Sequence, residues 1–184
     1  MVYCFISISR AYISAVALNN KIYFAGGSVD NRSYAPTDRI DVFDNSTNSW
    51  STSALNEPRC FLAGITKDDK IYWAGGFKGG GLGNMLCSVE IRDATAQSST
   101  TAYLYKPANW WNSGGQNAVI KNNNIVFMRV GSDVDDADKF DIYDVTTGQW
   151  SIGLLPQSIA GASVISVNNT IYVTQGNKVW KLEF

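Results

Sequence analysis

The sequence predicts an all-β fold made of repeated four-stranded units, and three observations carry that prediction. A short apolar–turn–apolar pattern recurs four times along the 184 residues. No stretch of ten residues keeps a helical apolar periodicity. The recurring pattern is also followed by a second one, an alternating strand that runs into an Asp-led turn.

The first pattern is a hairpin. KIYFAGG begins at Lys21, KIYWAGG at Lys70, NIVFMRV at Asn124 and TIYVTQG at Thr170. Each follows a tight turn, LNN, KDD, KNN or VNN, and each turn follows an apolar stretch. That is strand, Asn/Asp turn, strand: strands a and b of one unit. The second pattern supplies strands c and d. IDVFDNSTNSW ends at Trp50, VEIRDATAQSS at Ser99 and DIYDVTTGQW at Trp150. Asp44, Asp93 and Asp144 each stand six residues before that end. There an Asp side chain favours a turn by bonding backbone groups ahead of it. Ile40/Val42 and Val89/Ile91 alternate as a half-buried strand does. Such units cannot each bury their own two faces. Arranged radially they cover one another, which makes a β-propeller with one sheet per blade.

The residues that recur most strictly form a recognisable set. A glycine pair closes strand b (Gly26-Gly27, Gly75-Gly76), with Tyr23 and Tyr72 three residues earlier. A Trp follows later (Trp50, Trp150), and a basic residue opens a unit (Arg10, Arg59). The pattern resembles the kelch repeat over nearly the whole chain. Units two to four depart from it in places. Arg129-Val130 replaces the glycine pair before Gly131, and unit four has Gln175-Gly176. Ser99 stands in place of a Trp, and Ser113 and Ile159 stand where Arg would. The glycines are expected to allow positive φ and close backbone approach. The Trp is expected to pack between adjacent sheets.

Spacing then closes the ring. From the Trp position to the next strand b the interval is 20 residues (Trp50 to Lys70), then 25 (Ser99 to Asn124), then 20 (Trp150 to Thr170). Counting back 20 from Lys21 reaches residue 1, so residues 2–8 are expected to form a strand d. At the other end, Trp180 and Leu182 are expected at the inward positions of Ile40 and Val42, with Phe184 at that of Asp44. The fourth unit then lacks only its strand d. The expectation is a kelch-like β-propeller of about four blades, each of four antiparallel strands, closed by the N-terminal strand pairing into the last blade. One domain covers 1–184, with blade 1 at about 12–55, blade 2 at about 61–105, blade 3 at about 115–155 and blade 4 at about 161–184 plus 2–8. A monomer is expected. The alternatives are part of a larger ring and one ring shared by two chains.

Composition removes several function classes. Fifteen basic and sixteen acidic residues, in no like-charged block, argue against nucleic acid as a partner. No apolar run reaches the roughly 18–20 residues of a membrane span. The apolar start contains Ala15-Val16-Ala17, but its one charge, Arg10, lies inside it rather than before it, unlike a signal peptide. Low charge and many Asn, Ser and Thr lean toward an extracytoplasmic location. With no histidine, Ser-His-Asp and Cys-His nucleophiles and His-ligated zinc or copper are excluded. That removes the copper chemistry of some kelch-like oxidases. The S-x-D-x-G-x-T-W turns of sialidase-like propellers are also missing. No catalytic residue, metal or cofactor is expected. Cys4, Cys60 and Cys87 show no CxxC spacing and are expected to be free thiols, with one disulfide plus a free thiol as the alternative.

The resemblance implies partner binding at the face where the b–c and d–a loops open. The longest d–a loop, YKPANWWNSGGQN, offers Trp110 and Trp111. The first b–c loop offers Arg32 and Tyr34, the second Phe77 and Lys78. The second loop lacks the G-K-[ST] ending of a phosphate loop. The third, GSDVDDADKFD, reads as a solvated acidic loop, with calcium chelation by Asp133, Asp135, Asp136 and Asp138 as the second reading. Arg10, Arg59 and Arg129 are expected to line the channel mouth, where a guanidinium grips a carboxylate or phosphate. Arg10 and Arg59 have a structural alternative, bonding loop carbonyls. The expected function is a non-enzymatic interaction module for a protein or peptide. A carbohydrate-binding propeller using the loop aromatics is the alternative.

Overall fold

The computed structural model describes residues 6–30, 34–80, 84–107, 117–129 and 138–183. Among these residues every regular element is a strand, so no helix is long and apolar enough to cross a membrane. Sheet I holds β1 (Ser14–Leu18), β2 (Lys21–Ala25), β3 (Arg39–Asp44) and β4 (Ser49–Ala54). Sheet II holds β5 (Ala63–Lys67), β6 (Lys70–Ala74), β7 (Ser88–Asp93) and β8 (Ser98–Tyr103). Sheet III holds β9 (Ala118–Lys121), β10 (Asn124–Met128), β11 (Lys139–Asp144) and β12 (Trp150–Leu154). Sheet IV holds β13 (Ser163–Val167), β14 (Thr170–Gln175) and β15 (Lys178–Leu182). Each sheet is an antiparallel meander in chain order, as the four-unit propeller reading requires.

Local chemistry accounts for the turns. Asn19 and Asn20, and likewise Asn168 and Asn169, all have positive φ, the geometry of a two-residue hairpin turn that Asn tolerates. At the c–d turns the Asp44 carboxylate accepts the backbone N–H of Ser46 (2.9 Å) and Thr47 (3.3 Å). Asp93 accepts those of Thr95 and Ala96, and Asp144 those of Thr146 and Thr147. These bonds favour the charged form and hold all three carboxyls below the usual range. The Ser46 hydroxyl is the main cause at Asp44, the Ala96 N–H at Asp93 and the Thr146 N–H at Asp144.

Sheets cover each other face to face. Ile71 and Trp73 of sheet II pack with Val16 and Val42 of sheet I, with Tyr23 edge-on to Trp73. A larger core runs through sheets II, III and IV, from Ile65 and Ile91 through Ile125 and Phe127 to Ile171 and Val173. The innermost strands border one axial space of about 400 Å³, lined by Ala15–Ala17, Ile65, Thr66, Ala118–Ile120 and Ser166. Inside sheet III, Gly153 faces Phe140 across the β11–β12 pair, and a Cβ there would fall 2.0 Å from the ring.

The tryptophans lie across their own sheets. Trp50 sits on Phe43 (5.1 Å) and Phe24 (5.9 Å), and Trp150 on Tyr143 (4.8 Å) and Phe127 (5.9 Å). Trp150 is thereby packed into the core shared with sheet II, whereas Trp50 stays partly exposed. Sheet II lacks that Trp. Instead Trp73 on β6 takes the Arg92 guanidinium over its ring at 5.4 Å.

The chain ends are described in part. Residues 2–5 and Phe184, with Cys4, lie outside the described residues. Residues 6–8, expected in the same strand as 2–5, are not strand. They run onto sheet I, where the Ser7 N–H donates to Asp41 Oδ1 at 3.2 Å. Asn56 donates likewise to Glu90, and Tyr105 to Asp141. The chain thus enters sheet I as it enters sheets II and III. In sheet IV, Ile171 pairs with Leu182 as Ile22 pairs with Phe43. Trp180 therefore corresponds to Asp41 and Leu182 to Phe43, one residue from the expected register, and such a slip exchanges the faces.

Candidate binding face

The d–a and b–c loops meet at one end of the sheets and are joined by backbone bonds. Ala11 and Ser28 exchange two bonds (2.9 and 2.8 Å), as do Cys60 and Phe77 (3.0 and 2.9 Å). Gly27 donates to the Arg59 carbonyl at 2.9 Å, and Phe61 to the Tyr12 carbonyl at 3.2 Å. Gly26 and Gly27 have positive φ, and a Cβ on Gly26 would sit 2.3 Å from the Arg59 carbonyl oxygen. Here the doubled glycine is required by close approach as well as by φ.

The three arginines do not line an open mouth. The Arg10 side chain is fully buried, and Arg59 and Arg129 are buried residues. Arg10 donates to the carbonyls of Gly26 (2.7 Å) and Phe24 (2.8 Å) and pairs with Asp41 at 2.6 Å. Arg59 donates to the carbonyls of Gly75 and Ser88, both at 3.0 Å, and pairs with Glu57 at 2.7 Å. Arg129 pairs with Asp141 at 2.7 Å and donates to the Lys106 carbonyl at 3.2 Å. They are committed to the scaffold, the structural alternative for the first two. Burial alone would raise the Asp41 pKa, but hydrogen bonds from Ser7 and Arg10 outweigh it and hold the carboxyl below the usual range. At Asp141 burial wins, and the carboxyl is raised despite Tyr105 and Arg129. Sheet IV drops the pair altogether. Ile159 and Trp180 stand at the two positions and line one small apolar cavity.

The loop aromatics do come together. Tyr12 stacks on Phe61 with centroids 4.2 Å apart. Tyr34 lies 6.0 Å from Tyr12, 5.7 Å from Phe61 and 6.3 Å from Phe77. Tyr12 is 41% exposed, and the other three are half-buried. Sequence reading found Tyr34 and Phe77 and missed Tyr12 and Phe61. Three of the four have positive φ: Tyr12 (60°), Tyr34 (45°) and Phe61 (55°). A bulky residue is strained there, at roughly 1–2 kcal/mol each. Tyr12 and Phe61 occupy one repeat position, two residues before the start of strand a. Sheet IV fills that position with Gly161, also at positive φ (73°). The backbone asks for glycine, and two units spend stability to place a ring there.

Lys78 follows Phe77 and is exposed. Arg32, Trp110, Trp111, Asp133, Asp135 and Asp136 lie outside the described residues. Asp138 is described, and its carbonyl accepts the Leu155 N–H at 2.7 Å. Cys60 and Cys87 are free thiols. Cys60 is buried, which pushes its pKa up to about 11.

Residues 9–54 match the family described as Kelch motif. No curated protein matches the chain. Among solved structures, that of YjhT matches with a TM-score of 0.66 and 13% identity over 89% of this chain. At that identity the match concerns the fold alone, and this chain spans 58% of the YjhT chain.

Proposed function

We propose that this kelch-repeat β-propeller binds a protein or peptide on its loop face, through the cluster of Tyr12, Tyr34, Phe61 and Phe77. One observation carries the reading. Tyr12 and Phe61 hold left-handed backbone positions at which a sister unit uses Gly161. Strain kept where glycine would relieve it belongs with a side chain that has a task. The rings form a raised apolar group with polar edges at the tyrosines, the composition of a binding hot spot. Their planes are tilted, at 48° for Tyr12–Tyr34, 57° for Tyr34–Phe61 and 88° for Tyr34–Phe77. Side chains of a peptide fit between tilted rings. A sugar stacks best on one open flat face, and one face of the most exposed ring, Tyr12, is already covered by Phe61. The exposed Lys78 adds a cation that favours an acidic residue in the ligand.

The test compares peptide-display selection with a glycan array, using the wild type and a Tyr12→Gly/Phe61→Gly variant. Selected peptides should bind the wild type and lose at least tenfold in affinity on the variant, whose backbone glycine suits. Binding to glycans alone, or peptide affinity untouched by the double substitution, rejects the proposal.

A further inference from the structure

Sheets I and III set a tryptophan opposite an aromatic residue of the neighbouring strand, and sheet II does not. Trp50 pairs with Phe43 and Trp150 with Tyr143, whereas Ser99 pairs with Arg92. Trp150 fills its side of the junction between sheets II and III, packed against the core that holds Tyr72 and Ile91. In the junction between sheets I and II the same place is a crevice of about 340 Å³. Tyr23, Val42, Ser51 and Ser53 of sheet I form one wall, and Arg92 and Ser99 of sheet II line the other. Tyr23 and Val42 are the repeat counterparts of Tyr72 and Ile91. The crevice is therefore the space of the ring that sheet II lacks, and both its walls belong to this chain.

Three features select its occupant. The first is a fixed, flat cation. Arg92 Nη1 donates to Ser53 Oγ at 2.8 Å, and Nη2 donates to the Ala54 carbonyl and to Glu90 Oε1. Its guanidinium lies over Trp73, which is fully buried, and so separates that indole from the crevice. A further ring stacks well on such a plane. The second is charge. Lys21 pairs with Asp44 at 3.5 Å, Arg92 with Glu90 at 2.8 Å, and Asp93 accepts two backbone N–H groups. The charges on the walls are matched already, which favours a neutral ring over an ion. The third is the mouth, where Ser51, Gln97, Ser98 and Ser99 are exposed and offer oxygen acceptors to an indole N–H. With that side open, a ring can enter while the backbone that carries it stays outside. A pocket for a free small molecule encloses most of its ligand instead.

We propose that this crevice is a docking site for a tryptophan side chain of a partner protein. The partner's indole takes the place beside Arg92 that Trp150 takes beside Tyr143 in the next junction. Two positions differ together in sheet II: serine stands for the tryptophan, which opens the space, and arginine for the aromatic residue, which keeps a surface to stack on. Strand β7 runs from the b–c loop at Ser88 to the c–d turn at Asp93, and the crevice lies at the turn end. It is thus at the opposite end of the sheets from Tyr12 and Phe61, and the inference is independent of the loop-face reading.

Two-dimensional NMR of the full chain, titrated with N-acetyl-tryptophanamide, tests this. The Arg92 Nε–H signal should move upfield under the ring and saturate, with a Kd of about 1 mM or tighter. N-acetyl-leucinamide and methyl glucoside should leave it in place. Ser99→Trp supplies the ring from the chain itself, so it should weaken binding at least tenfold and raise the unfolding temperature. Ser51→Phe obstructs the crevice from the opposite wall and should also weaken binding. Both positions are exposed, so both variants should fold. An acetylated Gly-Trp-Gly amide should bind at least as tightly as N-acetyl-tryptophanamide. The Tyr12→Gly/Phe61→Gly variant should bind as the wild type does, whatever becomes of peptide binding at the loop face. The proposal is overturned by the absence of a saturable shift at Arg92, or by binding that survives both Ser99→Trp and Ser51→Phe. Binding lost in the Tyr12→Gly/Phe61→Gly variant places the indole at the loop face and also overturns it. A response to the glucoside in place of the indole does the same. So does a tripeptide bound tenfold more weakly than N-acetyl-tryptophanamide, which would point to a free indole compound.

Discussion

Arg129 pairs with Asp141 across 2.7 Å from the end of β10, at the repeat position where sheets I and II carry glycine. Arg10 pairs with Asp41, its counterpart, across 2.6 Å from the segment before β1. The acid keeps its place in both sheets while the guanidinium arrives from different parts of the chain. The loss of the glycine pair in unit three is thus a relocation of the arginine.

The Arg129–Asp141 pair is nearly free of solvent. Removing one partner leaves a buried charge uncompensated, and Arg129→Met should cost about 3–5 kcal/mol in urea unfolding. Replacing both, as Arg129→Met/Asp141→Leu, should recover most of that loss. Sheet IV already manages with Ile159 and Trp180.

The two equivalent carboxylates should respond to pH with opposite sign. The Asp41 pKa is depressed in the fold, so its contribution is present above the ordinary carboxylate value and is lost as pH falls through the folded value. The stability gap between wild type and Asp41→Asn should therefore be wide at pH 7 and shrink on acidification below about pH 4. The Asp141 pKa is raised, so its contribution is complete below the ordinary value and declines as pH rises through the folded one. The gap to Asp141→Asn should narrow with rising pH. Thermal unfolding across pH 3–7 reads both slopes.

Phe61 holds φ at 55°. Phe61→Gly should be more stable than Phe61→Ala by about 1 kcal/mol, because alanine keeps the strain and loses the ring. An ordinary surface helix or strand position would show the reverse order. Calorimetry on the two variants decides it.

Gly153 leaves room for the Phe140 ring, and a Cβ there would overlap it at 2.0 Å. Gly153→Ala should destabilise by about 1–3 kcal/mol, and a Gly153→Ala/Phe140→Leu pair should regain part of that. Chemical denaturation of the single and double variants measures both.

The repeat, the hairpins and the c–d turns were legible in the sequence because each depends on neighbours within one unit. Asn19-Asn20 makes its turn locally, and Asp44 bonds Ser46 and Thr47 a few residues on. Arg10 and Arg59 were also visible, with carbonyl bonding as one of their two readings, but the acids they meet were not. Exposure depends on what covers a residue, and Gly26, Gly75 and the acids reach them only through folding. Tyr12 and Phe61 could have been found by aligning the units, since R-A-Y and R-C-F share one position with I-A-G before strand a. The misplaced register of Trp180 shows the limit of counting, where a single residue exchanges the two faces of a strand.

The sequence by itself determined an all-β chain of four like units, ordered so that each sheet is made from consecutive strands. Local turn chemistry and the two-residue period of apolar side chains suffice for that. Only the tertiary structure decided which arginine meets which acid and that four loop aromatics form one cluster. Those outcomes depend on contacts between residues far apart in the chain, set by how whole sheets pack, and no local pattern encodes them.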